Sequence, residues 1–158
     1  MGSGITEVAS RAGLDVITVE VSADAAKAAA DRVESSLRRA EKRGKIEAAE
    51  IEAVLARISF TDDLEALADS DLVVEAASED EETKLDLFRR VGQILTKDDA
   101  ILTSNTSSIP IVKLGAVSGR AHHVMGVHFF NPAPVMQLVE LIPSLTTSPQ
   151  TLDRMRSW

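Results

Sequence analysis

The chain opens M-G-S-G-I-T-E-V-A-S-R-A-G-L-D-V-I-T-V-E, Met1 to Glu20. Ile5, Val8, Ala9 and Ala12 fall at i, i+3, i+4 and i+7, which predicts a short helix starting at the first residue, with Gly13 as its C′ residue. Leu14 to Val21 is β-branched and partly alternating, a strand with the acidic Glu20 near its end. A helix followed by a strand that ends in an acid is half of a dinucleotide-binding βαβ unit. In that unit a Gly-rich turn precedes the helix, and a carboxylate about 20 residues on accepts the ribose hydroxyls. Gly2 to Glu20 has this spacing, while the first strand and the first two glycines of G-x-G-x-x-G do not precede it. Read locally, Gly2 and Gly4 are equally a flexible terminal tail.

The alternation continues downstream. Ser22 is an N-cap candidate for a long helix with the apolar stripe Ala26, Ala29, Val33, Leu37 and Ala40, ended by Gly44. A second helical pattern to Ile58 makes Asp24 to Ile58 a helical hairpin. Arg38, Arg39, Lys42, Arg43 and Lys45 cluster at its tip and could hold phosphates, or form a solvated charged face. Ile58 to Phe60 is a short strand, followed by a brief helix through Leu67. Asp71 to Ala77 reads as a buried, parallel-type strand, with Glu75 an odd residue to bury within it. Asp80 to Leu95 is a helix with its face at Leu87, Phe88, Val91, Ile94 and Leu95. Ala100 to Ser104 is another strand. It leads into Asn105-Thr106-Ser107-Ser108, which reads as an N-cap loop for the helix after Pro110. His122 and His123 read as surface residues, and Ser148-Pro149 starts a last helix. Strands alternating with helices predict an α/β, Rossmann-like, doubly wound and mostly parallel sheet, lacking the first strand and carrying a helical hairpin insertion.

Between Val127 and Glu140 lies V-H-F-F-N-P-A-P-V-M-Q-L-V-E. Pro132 and Pro134 break an apolar run, so an extended segment reaching Phe130 must turn and a second run carries Glu140 back. With the runs side by side, Glu140 meets His128 and supports it as a general base. The bland alternative is a satisfied core histidine and a solvated carboxylate.

Composition narrows the function. One domain around a single core is expected from 158 residues with 44% hydrophobic and 27% charged side chains. Seventeen basic against twenty-five acidic residues, a net charge of −8, exclude a general nucleic-acid binder. The absence of cysteine excludes disulfides, thiolate catalysis and zinc-thiolate centres, and no metal site is read. No apolar run reaches the roughly eighteen residues of a membrane span, and a soluble, cytoplasmic protein is expected.

The stretch from His128 to Glu140 resembles the H-F-F-N-P-x-P-V-M-x-L-V-E signature of the 3-hydroxyacyl-CoA dehydrogenases, matching at every fixed position. D-L-V-V-E-A-x-x-E from Asp71 and T-S-N-T-S-S-I from Thr103 are also similar to that family's patterns, and the resemblance covers essentially the whole chain. It implies NAD-dependent oxidation of a short-chain 3-hydroxyacyl-CoA such as 3-hydroxybutyryl-CoA. His128 would be the base, Glu140 its partner, Ser107 a ligand of the substrate oxygen and Asn131 a support of the same pocket. Gly2 would match the third fingerprint glycine, and Glu79, Lys84 and Asn105 would lie at the nicotinamide and its ribose. Glu79 reads equally as part of an acidic helix cap. Ser36 and Arg43 would contact coenzyme A, with Arg43 in place of the usual lysine. Glu20 would repel a 2′-phosphate and favour NAD over NADP. The expected domain is an incomplete NAD-binding domain over 1–158, without the first strand and the helical C-terminal domain. A homodimer is expected only where that second domain is supplied. Two other classes stay open: a non-catalytic nucleotide- or CoA-binding fragment, and another hydroxy-acid dehydrogenase on the same fold.

Overall fold

In the computed structural model, which describes residues 1–158, helix α1 (Gly2–Arg11) ends as its sequence predicts. Gly13, at φ 92°, donates to Ser10 O and Leu14 donates to Ala9 O, the paired bonds of a Schellman turn. Helix α2 (Ala23–Lys42) closes in the same way, with Gly44 at φ 67° donating to Glu41 O and Lys45 to Ala40 O. A side chain at either glycine would be strained in this left-handed conformation. The start of α2 is set by Ser22, whose Oγ accepts from Ala25 N at 3.2 Å.

The chain divides into two units, Met1–Ala66 with Asn131–Met136, and Leu67–Phe130 with Gln137–Trp158. The first holds α1, β1 (Val16–Val19), α2, α3 (Ala48–Leu55) and β2 (Ile58–Thr61). Strands β1 and β2 pair in parallel, Val16 opposite Ile58. The expected helical hairpin is α2 and α3, joined by a connection after Gly44. Val33, Leu37, Ile46, Ile51 and Val54 form its buried core, and the stripe read from the sequence faces inward. Segment 131–136 packs on α1 at Gly4, where a Cβ would lie 3.2 Å from Pro134 Cδ and 3.3 Å from Ala133 Cβ. A side chain at Gly4 would press Ala133 and Pro134 back by a few tenths of an ångström.

The second unit is a four-stranded sheet in the order β3 (Leu72–Glu75), β4 (Ile101–Ser104), β5 (Val124–Phe129), β6 (Val139–Pro143). The first three strands are parallel and β6 is antiparallel to β5. Helix α4 (Glu81–Ile94) connects β3 to β4, α5 (Ile111–Ser118) connects β4 to β5, and α6 (Pro149–Ser157) follows β6. Phe88 of α4 and Leu114 of α5 are fully buried, and Ile101, Met125, Val127 and Met155 make a core cluster.

Two separate sheets replace the one sheet expected. The doubly wound strand order places its first strand in the centre, between the second and the fourth. The strands of this chain hydrogen-bond in two groups, β1 with β2 and β3 to β6. Two local readings also change. The segment before β3 is a 3₁₀ turn, Leu64–Leu67. The N-cap of α5 is Pro110, because Thr106 Oγ1 already takes the Ile109 N–H at 3.0 Å inside the preceding loop. No helix is long and apolar enough to cross a membrane.

Candidate active site

The turn at Asn131–Pro134 brings the two apolar runs back as the β5–β6 ribbon, in a register that sets His128 directly opposite Glu140. Directly opposed residues of an antiparallel pair share a face. His128 Nδ1 lies 2.9 Å from Glu140 Oε2. An ionised carboxylate only accepts, so Nδ1 carries the hydrogen and Nε2 keeps its lone pair. The Phe130 ring meets the imidazole edge-on, with centroids 4.9 Å apart. The His128 side chain is 23% exposed and that of Glu140 50%, so the imidazole is sheltered but reachable. An imidazole held in one tautomer by a neighbouring carboxylate can serve as a base.

The loop after β4 supplies hydrogen-bond donors. Asn105 Oδ1 accepts the Phe129 N–H at 2.8 Å, which fixes the amide and leaves its Nδ2 as a donor. Ser107 is exposed, and its backbone N–H donates to Glu79 Oε1 at 3.3 Å. The same oxygen accepts from Ser108 Oγ at 3.0 Å and closely from Thr106 Oγ1. Burial pushes the Glu79 carboxyl up, but the Thr106 and Ser108 hydroxyls, the Lys84 charge and the Ser107 N–H outweigh it and hold the group below its ordinary value. Lys84 is itself buried. Its Nζ lies 2.6 and 2.9 Å from the two oxygens of Glu75 and 3.5 Å from Glu79 Oε2. Glu75, odd on a strand by sequence, is therefore a paired charge.

The remaining candidates belong to the first unit. Gly2 opens α1, whose N-cap residue Met1 makes no side-chain cap, and nothing lies within 4 Å of a Cβ built on Gly2. An open helix start of this kind suits an anionic group. Glu20 follows β1 and is met by Arg32 at 3.6 Å. An uncapped helix start and a carboxylate after the next strand fit the phosphates and ribose of a dinucleotide. Ser36 and Arg43 lie seven residues apart on α2, two turns and so one face, with Arg43 at the C-cap. Ser36 and Asn131 line one cleft together with Ser3, Glu7 and Arg32. In the basic cluster at the tip, Arg38 is taken up by Glu34, Glu41 and Glu52.

Several residues were not singled out by sequence reasoning. Ser104 and Thr106 brace the loop from within, and only their place between a strand and a helix hints at it. Lys84 was singled out as a cofactor residue but not as a buried one; it falls on one stripe with Phe88, Val91 and Leu95, and that periodicity is the signal of its burial. Glu7 is buried too, with its Oε2 unpartnered. His123 corrects the surface reading: it is half-buried, its Nδ1 is 3.2 Å from Thr151 Oγ1, and burial holds it below its ordinary value. His122 is exposed and contacts Thr146 O.

Residues 1–158 match the family described as 3-hydroxyacyl-CoA dehydrogenase, NAD binding domain. The chain is 45% identical over 147 residues to the 3-hydroxybutyryl-CoA dehydrogenase of Mycobacterium tuberculosis, covering 93% of this chain and 51% of that one. It is 46% identical over 151 residues to a probable 3-hydroxybutyryl-CoA dehydrogenase of Deinococcus radiodurans, covering 96% and 54%. The crystal structure of (S)-3-hydroxybutyryl-CoA dehydrogenase from Ralstonia eutropha matches with a TM-score of 0.96 and 40% identity, over 99% of this chain and 55% of that one. The chain thus spans about half the length of the relatives it matches. The Rossmann-like α/β class expected from the sequence is borne out by these likenesses.

Proposed function

The chain belongs to the family of 3-hydroxyacyl-CoA dehydrogenase NAD-binding domains, and from that premise we propose that it serves the NAD-dependent oxidation of a short-chain 3-hydroxyacyl-CoA to the 3-oxoacyl-CoA. The observation that carries this reading is the in-register pair, His128 Nδ1 to Glu140 Oε2 at 2.9 Å. With Nδ1 engaged, Nε2 takes the proton of the 3-hydroxyl, and Glu140 stabilises the imidazolium that results. Ser107 Oγ donates to the substrate oxygen as its charge changes, and Asn131 supports the acyl pocket. The chemistry that NAD brings when bound is acceptance of a hydride at its nicotinamide ring. The uncapped start of α1 at Gly2 would hold its phosphates, Glu20 its ribose hydroxyls, and Glu79 and Asn105 the nicotinamide end, with Lys84 buried behind Glu79 as its charge partner. Ser36 and Arg43, on one face of α2, take the polar arm of coenzyme A. Residues 1–158 act as one nucleotide-binding domain in this reading, in a cytoplasmic enzyme.

The test is a fluorescence titration of the purified chain with NADH, followed by assay with NAD⁺ and 3-hydroxybutyryl-CoA. The expected result is saturable NADH binding and oxidation that His128→Ala reduces about 10²- to 10⁴-fold with the NADH Kd unchanged. Binding without any turnover would favour a non-catalytic binding module. Turnover of other hydroxy acids in preference to the thioester would favour a different dehydrogenase, and turnover indifferent to His128 would overturn the mechanism.

A further inference from the structure

Glu75 stands at the carboxyl end of β3, buried, and has no part in the chemistry above. Its carboxylate is saturated. Oε1 accepts from Ala77 N at 2.6 Å and Lys84 Nζ at 2.6 Å, and Oε2 accepts from Lys84 Nζ at 2.9 Å and Ser104 Oγ at 2.6 Å. Ser104 Oγ, having spent its hydrogen on Glu75, accepts the Thr106 N–H at 3.2 Å. The Glu75 carbonyl takes the Asn105 N–H at 2.8 Å. Lys84, held by Glu75, also faces Glu79 at 3.5 Å, and Glu79 grips Thr106, Ser107 and Ser108 from the other side. Apart from the local bond from Ala77 N, the side-chain contacts of Glu75 therefore lead, directly or through one residue, to the Asn105–Ser108 loop or to a group that holds it.

Burying two charges is costly, and a pair of apolar side chains would fill the same space without that penalty. Apolar side chains could not aim a hydroxyl. A saturated carboxylate of fixed geometry gives Ser104 one orientation, and Ser104 in turn gives Thr106 one main-chain position. From this geometry we infer that Glu75 is a positioning residue, acting through Ser104 and Lys84 to hold the loop that presents Asn105 Nδ2 and Ser107 Oγ to ligand. The inference rests on the reading of Asn105 and Ser107 as ligand-facing, but the order of the loop can be measured without a ligand.

The experiment compares the wild-type chain with Glu75→Gln and Ser104→Ala. The first removes the charge that fixes Lys84. The second cuts only the link from Glu75 to the loop and leaves the ion pair in place. Amide hydrogen exchange is read residue by residue without ligand, thermal unfolding is measured beside it, and NADH titration follows. The expected result for Ser104→Ala is at least tenfold faster exchange at the Thr106 and Ser107 amides, with the Leu114 and Val124 amides unchanged and the melting temperature lowered by no more than several degrees, since the buried Thr106 N–H and Glu75 Oε2 each lose one partner. Glu75→Gln shows the same local acceleration, and in both variants the NADH Kd rises several-fold. Wild-type protection of the loop in both variants, or acceleration spread evenly over the second unit, would overturn the inference. Absence of NADH binding to the wild-type chain would refute the cofactor reading instead, and the exchange data would still decide whether Glu75 positions the loop.

Discussion

Gly92 of α4 is the position where packing and helix propensity make opposite predictions. A Cβ built on it would lie 2.0 Å from Ser118 O, 2.9 Å from Ser118 C and 3.1 Å from Ser118 Cα, all backbone atoms at the end of α5. A carbon–oxygen contact needs roughly 3.3 Å. Gly92→Ala therefore forces the two helices apart by about 1.3 Å at that point. Ser118 cannot yield alone. Its Oγ donates to Gly115 O at 2.8 Å and accepts from Arg120 N at 3.1 Å. The Arg120 guanidinium in turn bonds the carbonyls of Leu95, Lys97 and Ala100 beyond the end of α4. Propensity favours alanine over glycine within a helix by about 0.8–1.0 kcal/mol. Overpacking costs about 1–3 kcal/mol, and a rigid backbone partner sets the upper part of that range. The net effect is a loss of about 1–2 kcal/mol, or a fall of roughly 2–8 °C in melting temperature for a chain of this size. Circular dichroism melts of Gly92→Ala beside the exposed neighbour Gln93→Ala measure it. A melting temperature equal to or above wild type would refute the packing argument, since propensity would then have won.

Glu140→Gln keeps the shape beside His128 and removes the charge that stabilises the imidazolium. Because Glu140 is half-exposed and screened, turnover should fall about tenfold, less than for loss of the base itself, with NADH binding unaffected; equal rates would remove Glu140 from the mechanism. Glu7 is buried with Oε2 unpartnered and only Arg11, 3.5 Å away, on its other oxygen. Glu7→Leu should leave the melting temperature unchanged or raise it, and a fall of several degrees would mean that the carboxylate has a partner of consequence. Acid stability should depend on Glu79, whose folded value is depressed from 4.5. Its ionised form stabilises the fold fully above that ordinary value, and the contribution disappears as pH falls through the lower folded one. Denaturant unfolding of Glu79→Gln should accordingly show a shallower loss of stability below about pH 4.5 than wild type. An identical slope would discount the three donors that hold it.

Much of the architecture was legible because it rests on contacts within a turn or two of chain. The stops at Gly13 and Gly44 and the cap at Ser22 are local events, and each element except the 3₁₀ turns before β3 and β5 was readable from periodicity and its flanking residues. The His128–Glu140 pair was legible for a related reason. Two apolar runs broken by prolines, carrying His128 and Glu140 twelve residues apart, could return as a ribbon, and the strand register shows that they do. The wrong N-cap for α5 shows the limit, since whether Thr106 serves the helix or the loop depends on Glu79, 27 residues away.

What the amino-acid order determined by itself was most of the series of helices and strands, the α/β class they imply, and the placing of a histidine and a carboxylate on two runs that a proline turn could bring together. Tertiary structure alone decided that the strands form two hydrogen-bonded groups, that Lys84 is buried against Glu75, and that Gly92 lies under the Ser118 carbonyl. Local structure follows from backbone geometry and neighbours three or four residues apart, which the chain states directly. The partner of a buried charge and the clearance between two helices are set by groups far apart in sequence, and those meet only when the apolar faces that carry them have packed.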